Sequence, residues 1–120
     1  MTLDKITKKK FIEDLTAHPV IFLGVLRGEN DSLILNALLS VKEIESLRPQ
    51  IRKGTKKSNH ILFTLADGTT SRLDLAQQGD YTYYTSQTQV GTFYIQRHKV
   101  VSDMGSCMVT TVQNMVYILA

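Results

Sequence analysis

Apolar residues recur along this chain with two periods, and the switch between them divides it. In the first third the spacing is helical. Phe11, Ile12 and Leu15 share one side of a segment from Asp4 or Thr7 to Ala17, with Lys8, Lys9, Lys10, Glu13 and Asp14 covering the rest. His18-Pro19 ends it, because proline pushes the preceding residue out of the helical region. Val20–Leu26 is an unbroken apolar run, the pattern of a buried strand. After the Gly28–Asp31 turn, with Asp31 or Ser32 as cap, Ile34, Leu38, Val41, Ile44 and Leu47 repeat at three- and four-residue steps. They predict a second helix that Pro49 ends. Ser40 with Glu43 reads as a capping box, compatible with a break and restart there.

Beyond residue 60 the period becomes two. Ile61, Phe63 and Leu65 alternate before Asp67-Gly68, and Leu73 and Leu75 alternate after it. A two-residue loop would set Phe63 opposite Arg72 and mix apolar with charged residues on one face. A three-residue loop ending at Gly68 instead sets Ile61 opposite Leu73 and leaves Arg72 and Asp74 on the wet face. The pattern therefore predicts a three-residue loop with a left-handed Gly68. Tyr81–Thr85, Thr92–Lys99 and Met108–Leu119 are further strands, the last two joined through Ser102–Ser106. The whole predicts a single α+β domain over residues 1–120: two N-terminal helices with an intervening strand, packed on a mainly antiparallel sheet of about five to six strands. The first strand reaches the sheet through a helix, which suits a parallel pairing by a right-handed crossover.

Composition narrows the function classes. The chain of 120 residues, 42% hydrophobic and 21% charged, has room for one core and is not of disordered composition. Its single cysteine, Cys107, cannot make an internal disulfide, and no apolar run approaches the length of a membrane span. Residues Met1–Lys5 lack the plan of a signal peptide, so the expected compartment is the cytoplasm. A net charge of +3 permits an anionic partner without demanding one.

Two surfaces stand out. The first is a basic loop: Arg48, Arg52, Lys53, Lys56 and Lys57 lie together with no acid among them, interrupted by Gly54, Thr55, Ser58 and Asn59. Charge and hydrogen-bond donors are what phosphate contacts need, although a solvated helix-to-strand connection explains the same residues. It is not a phosphate-cradling loop, because the Gly-Lys-Ser/Thr ending is missing. The second is a tyrosine-bearing sheet face. Alternation puts Phe93 and Ile95 on one side and Tyr94, Gln96 and His98 on the other, with Tyr83 on the neighbouring strand. If that side is exposed it is a binding platform; if a helix covers it, it is core.

Catalytic chemistry has little to stand on. Cys107 would need a base, and His98 could approach only if the last two strands pair. The acids sit singly at turns, the histidines and the cysteine are too scattered for zinc, and no dinucleotide fingerprint or nucleophile elbow is present. Neither a cofactor nor a metal is therefore expected. By elimination, the expectation is a non-enzymatic binding module that occupies a protein partner's surface. Accessory or inhibitor proteins of microbes and mobile elements are of this kind. The alternative is a nucleic-acid binder using Arg48–Lys57, helped by Arg97 and Lys99. A homodimer is also expected, because Leu119-Ala120 would leave the last strand as an unprotected edge.

Overall fold

The structure, a computed structural model, describes residues 2–42, 50–76 and 80–120. In chain order the elements are β1 (Asp4–Ile6), α1 (Lys8–Ala17), β2 (Val20–Arg27), α2 (Asp31–Leu39), β3 (Ile51–Lys56), β4 (His60–Leu65), β5 (Thr70–Asp74), β6 (Asp80–Gln87), β7 (Thr92–Asp103) and β8 (Met108–Leu119). The α+β class holds, but the described residues form eight strands in one sheet of order β1-β6-β7-β8-β2-β3-β4-β5, not five or six. The helices do not both precede the sheet, since β1 comes before α1 and β2 lies between α1 and α2.

Every strand pairing among the described residues is antiparallel. The expected parallel crossover is absent, because β2 runs antiparallel to both β8 and β3. Strand β8 lies inside the sheet, between β7 and β2, and the Ala120 N–H donates to the Pro19 carbonyl at 3.0 Å. The C-terminal end of the chain at Leu119-Ala120 is thus not the unprotected edge that the sequence suggested.

Each helix follows from local chemistry. The Thr7 hydroxyl accepts from the Lys10 N–H at 3.1 Å and caps α1; His18 is extended and stops it before Pro19. Asn30, rather than Asp31 or Ser32, caps α2 by accepting from the Leu33 N–H at 3.3 Å. That helix ends at Leu39. Val41 lies outside it but packs against the core, while Glu43, Ile44 and Leu47 fall outside the described residues.

The two helices cover opposite faces of the sheet. Phe11 and Leu15 of α1 pack with Val20, Ile61, Phe63, Leu73, Leu75, Tyr83, Tyr94 and Tyr117. Ile34 and Leu38 of α2 pack with Ile21, Phe93, Ile95, Val116 and Ile118. Strands β7 and β8 contribute alternate residues to both clusters, so along this stretch they are apolar on both sides.

The β4–β5 hairpin has the register the apolar alternation requires. Ile61 pairs with Leu73, Leu62 with Arg72, and residues 66–68 make the three-residue loop. Gly68, at φ +88°, takes the left-handed conformation that closes it. The Asp67 carboxylate accepts from the Thr69 N–H and hydroxyl at 2.9 and 2.6 Å, and these bonds hold its pKa low.

Candidate functional site

The segment read as a basic loop is mostly strand. Arg52, Lys53 and Lys56 lie on β3, Lys57 follows it, and Arg48 falls outside the described residues. Alternation divides the cations: Arg52 and Lys56 share the α1 face with Gly54, and Lys53 points to the other. The Arg52 guanidinium lies 5.1 Å over the Phe22 ring and donates from Nη1 to the Ser71 hydroxyl at 2.7 Å. Its Nε is buried with no hydrogen-bond partner among the described residues. Lys56 Nζ turns back onto the Lys57 and Ser58 carbonyls. Lys53, Lys56 and Lys57 are exposed, whereas Arg52 is half-buried and engaged with Phe22 and Ser71.

The tyrosine-bearing face is largely covered. Tyr83 and Tyr94 are buried against Phe11 and Leu15 of α1, and Gln96 is buried on the same face, so for them the core alternative holds. The Tyr94 hydroxyl donates to the Asp14 carboxylate, which also accepts from Lys10 Nζ at 2.6 Å. Burial pushes the Tyr94 pKa up, and its hydrogen bond to Asp14 pushes it further. For Asp14 burial acts upward, but the hydrogen bonds from Lys10 and Tyr94 outweigh it and the pKa is lowered. Gln96 Nε2 donates to the Asp74 carbonyl at 2.8 Å.

His98 is half-buried at the rim of that face, its ring 4.6 Å from Tyr81. With Arg72, Asp74, Tyr81, Gln96 and Gln113 it lines a cleft of about 160 Å³. Small-molecule sites usually run to about 300 Å³ or more, so this cleft is small for a substrate.

Strands β7 and β8 do pair, but their register separates Cys107 from His98. His98 faces Gln113, six positions along β8 from Cys107. At roughly 3.3 Å per residue that is about 20 Å, too far for a base to take a thiol proton. Among the described residues no group of three or more His, Cys, Asp or Glu side chains is placed to hold a metal ion. No described helix is long and apolar enough to cross a membrane.

What the sequence did not signal is the outer half of the β7–β8 hairpin. Strand β6 stays with β7 as far as the Asp80–Lys99 pair. On the other side the Gly28 N–H donates to the Val112 carbonyl at 2.9 Å, and the chain then turns into α2. Beyond these points the hairpin continues alone among the described residues. Its rungs are Val100–Thr111, Val101–Thr110, Ser102–Val109 and Asp103–Met108, closed by Met104–Cys107. The ribbon carries Val101 at 54% exposure, Met104 at 65%, Met108 at 64% and Val109 at 43%. Val101 and Met108 lie on one face and Val100 and Val109 on the other, so neither face is the wet one. Asp103 is the one charged residue between Val100 and Thr111.

A buried polar cluster fixes the root of the ribbon. Arg97, 9% exposed, donates from Nε to Asn114 Oδ1 at 2.8 Å and from Nη2 to Asp31 Oδ1 at 2.9 Å. Its guanidinium lies 4.6 Å over the Tyr84 ring. Asn114 Nδ2 donates to the Leu26 and Gly28 carbonyls at 2.9 and 2.7 Å. Arg97 therefore ties β7, β8, the β2 end and the start of α2 together, and is not a free cation for phosphate.

Comparison with known proteins gives no match among protein-family models, curated proteins or solved structures.

Proposed function

We propose that this chain is a non-enzymatic protein-binding module whose contact surface is the β7–β8 ribbon. One observation carries the reading: a two-stranded extension with uncovered apolar residues on both faces and almost no charge. Burying one Val or Met side chain is worth about 1.5–3 kcal/mol, and a two-stranded ribbon alone is marginal in water. A protein groove that takes the ribbon supplies both what its side chains and its strands lack. A phosphate backbone supplies neither, so nucleic acid is a poor match for this surface. With Cys107 and His98 far apart, the domain acts by occupying a surface, as accessory or inhibitor proteins of microbes and mobile elements do. The reading places it in the cytoplasm, where Cys107 stays a thiol.

The test is capture of partners from lysates of the source cells at low and high salt, wild type beside a V101S/M104S/M108S variant. A discrete protein is expected to stay on the wild type at high salt and to fall at least tenfold on the variant. Equal capture by both overturns the assignment.

The exposed cations Lys53, Lys56 and Lys57 favour a second reading, nucleic-acid binding through β3 and the turn after it. It requires nucleic acid to be recovered at low salt only, and to be lost when those three lysines are made neutral.

A further inference from the structure

A ribbon also has edges, and a strand edge carries unpaired N–H and C=O groups whatever its faces touch. The two edges here differ. The stretch of β7 with no partner strand on its outer side among the described residues is bracketed by charge, Lys99 at the root and Asp103 at the tip. The free stretch of β8 is Met108-Val109-Thr110-Thr111, with no charge and no proline, the devices that keep edges from pairing. Three of the four are β-branched and suit a strand. Strand β2 leaves β8 at the Gly28–Val112 bond, so among the described residues nothing occupies this edge.

We propose that a second copy of this chain occupies it, the two β8 strands pairing antiparallel about a twofold axis through Val109. The proposal rests on the ribbon being a contact surface and names the partner of one of its edges. The register follows from geometry. A twofold axis normal to the sheet keeps each face on its own side, so the residues opposed across it must be an even number of positions apart. Centring on Val109 sets it against its own counterpart, Met108 against Thr110 of the second copy, and Cys107 against Thr111. Centring on Thr110 would set Met108 against Val112, whose carbonyl already accepts from Gly28. Centring on Met108 would run the pairing into the Met104–Cys107 closing turn.

Around Val109 the two ribbons become one four-stranded sheet, β7-β8-β8-β7, large enough to be stable where two strands are not. Valine then faces valine on one side, and methionine packs on threonine on the other. The edge is short, so the association falls at the weak end of protein interfaces.

Sedimentation equilibrium of the full chain from about 10 µM to about 1 mM reads the association directly. The wild type is expected to move with concentration from the 13.5 kDa monomer toward twice that mass. Val109→Lys and Val109→Glu each set like charges against each other across the axis, and each is expected to weaken association at least tenfold. An equimolar mixture of the two sets opposite charges together and is expected to restore the dimer. Position 109 is exposed, and unchanged circular dichroism and thermal midpoint confirm that the variants fold. A wild type that stays monomeric over the whole range overturns the proposal. So does a Lys variant that dimerises as the wild type does, or a mixture that stays monomeric. If the wild type is monomeric while the V101S/M104S/M108S variant loses its captured partner, the binding-module reading stands and self-pairing alone falls.

Discussion

Strands β7 and β8 live in two environments. From Phe93 to Arg97 and from Asn114 to Ile118 every residue but the half-buried Met115 is buried, because β6 and β2 flank the pair and a helix covers each face. From Val100 to Asp103 and from Met108 to Thr111 the same two strands carry exposed Val101, Met108 and Val109 and a half-buried Val100. Backbone, pairing and residue chemistry barely change along them. The neighbours do. A valine's contribution to stability is set by what packs on it and not by the strand it occupies. Inner and outer halves should therefore answer very differently to the same class of substitution.

The largest contrast comes from emptying the core. Phe11 is fully buried, with its ring 4.6 Å from that of Tyr83 and 6.3 Å from that of Tyr94. Phe11→Ala is expected to cost about 3–5 kcal/mol in urea unfolding, because α1 is short and has few other anchors. A loss below about 1 kcal/mol would mean that α1 is not what covers this face.

The boundary between the halves is a second place to cut. Asn114 is fully buried and joins the Arg97 guanidinium to the Leu26 and Gly28 carbonyls. Asn114→Ala leaves these groups without partners, at an expected cost of about 2–3 kcal/mol. Hydrogen exchange should quicken at Leu26–Leu33 before it does in β4 and β5, which are remote from the cluster. Uniform quickening would mean that Asn114 is packing and not a tie.

How much of this was legible in the chain depends on whether a residue's environment is set locally. The β4–β5 hairpin was readable to its register, because Ile61, Phe63 and Leu73 alternate cleanly and one loop length keeps Arg72 on the wet face. Strand β3 was not. Its α1 face is built from the Arg52 guanidinium lying over the Phe22 ring, and from Gly54, where an added Cβ would come within 2.7 Å of the Leu15 carbonyl oxygen. A charged residue covering an aromatic ring and a glycine chosen for close approach both look like loop in a hydrophobicity pattern. Alternation separated Tyr94 and Gln96 from Phe93 and Ile95 correctly, but it could not say that α1 and α2 cover opposite faces. The ribbon was hidden for a related reason. Val109 reads as ordinary strand, while Val100 and Val101 fall just past the strand expected to end at Lys99; what leaves them without flanking strands among the described residues is where β6 and β2 stop, far away in sequence.

The core half also carries a pH signature that the ribbon lacks. Burial raises the pKa of Tyr83, Tyr94 and Tyr117 above the ordinary value near 10, and all three belong to the α1-side cluster. The folded chain then keeps phenolic protons that the unfolded chain gives up. Their contribution is fully present below pH 10 or so and is lost as the pH rises beyond it. The urea midpoint should fall between about pH 9 and 11, and less steeply in a Tyr117→Phe variant. A midpoint flat over that range would show that the tyrosines ionise without unfolding the core.

The smallest effect is expected where the apolar side chains look most like core. Val101→Ser and Met108→Ser should each change stability by less than about 0.5 kcal/mol, because these side chains are already in water when the chain is alone. Amides from Val100 to Thr111 should exchange orders of magnitude faster than those of Phe93–Arg97. The decisive comparison is the same pair of substitutions measured twice, once for unfolding and once for partner capture. Negligible loss in the first with a large loss in the second is the mark of a surface that folding does not use. A cost of about 2 kcal/mol or more in unfolding would instead mean that the ribbon packs on the body of the molecule, and that the two halves of the hairpin share one environment.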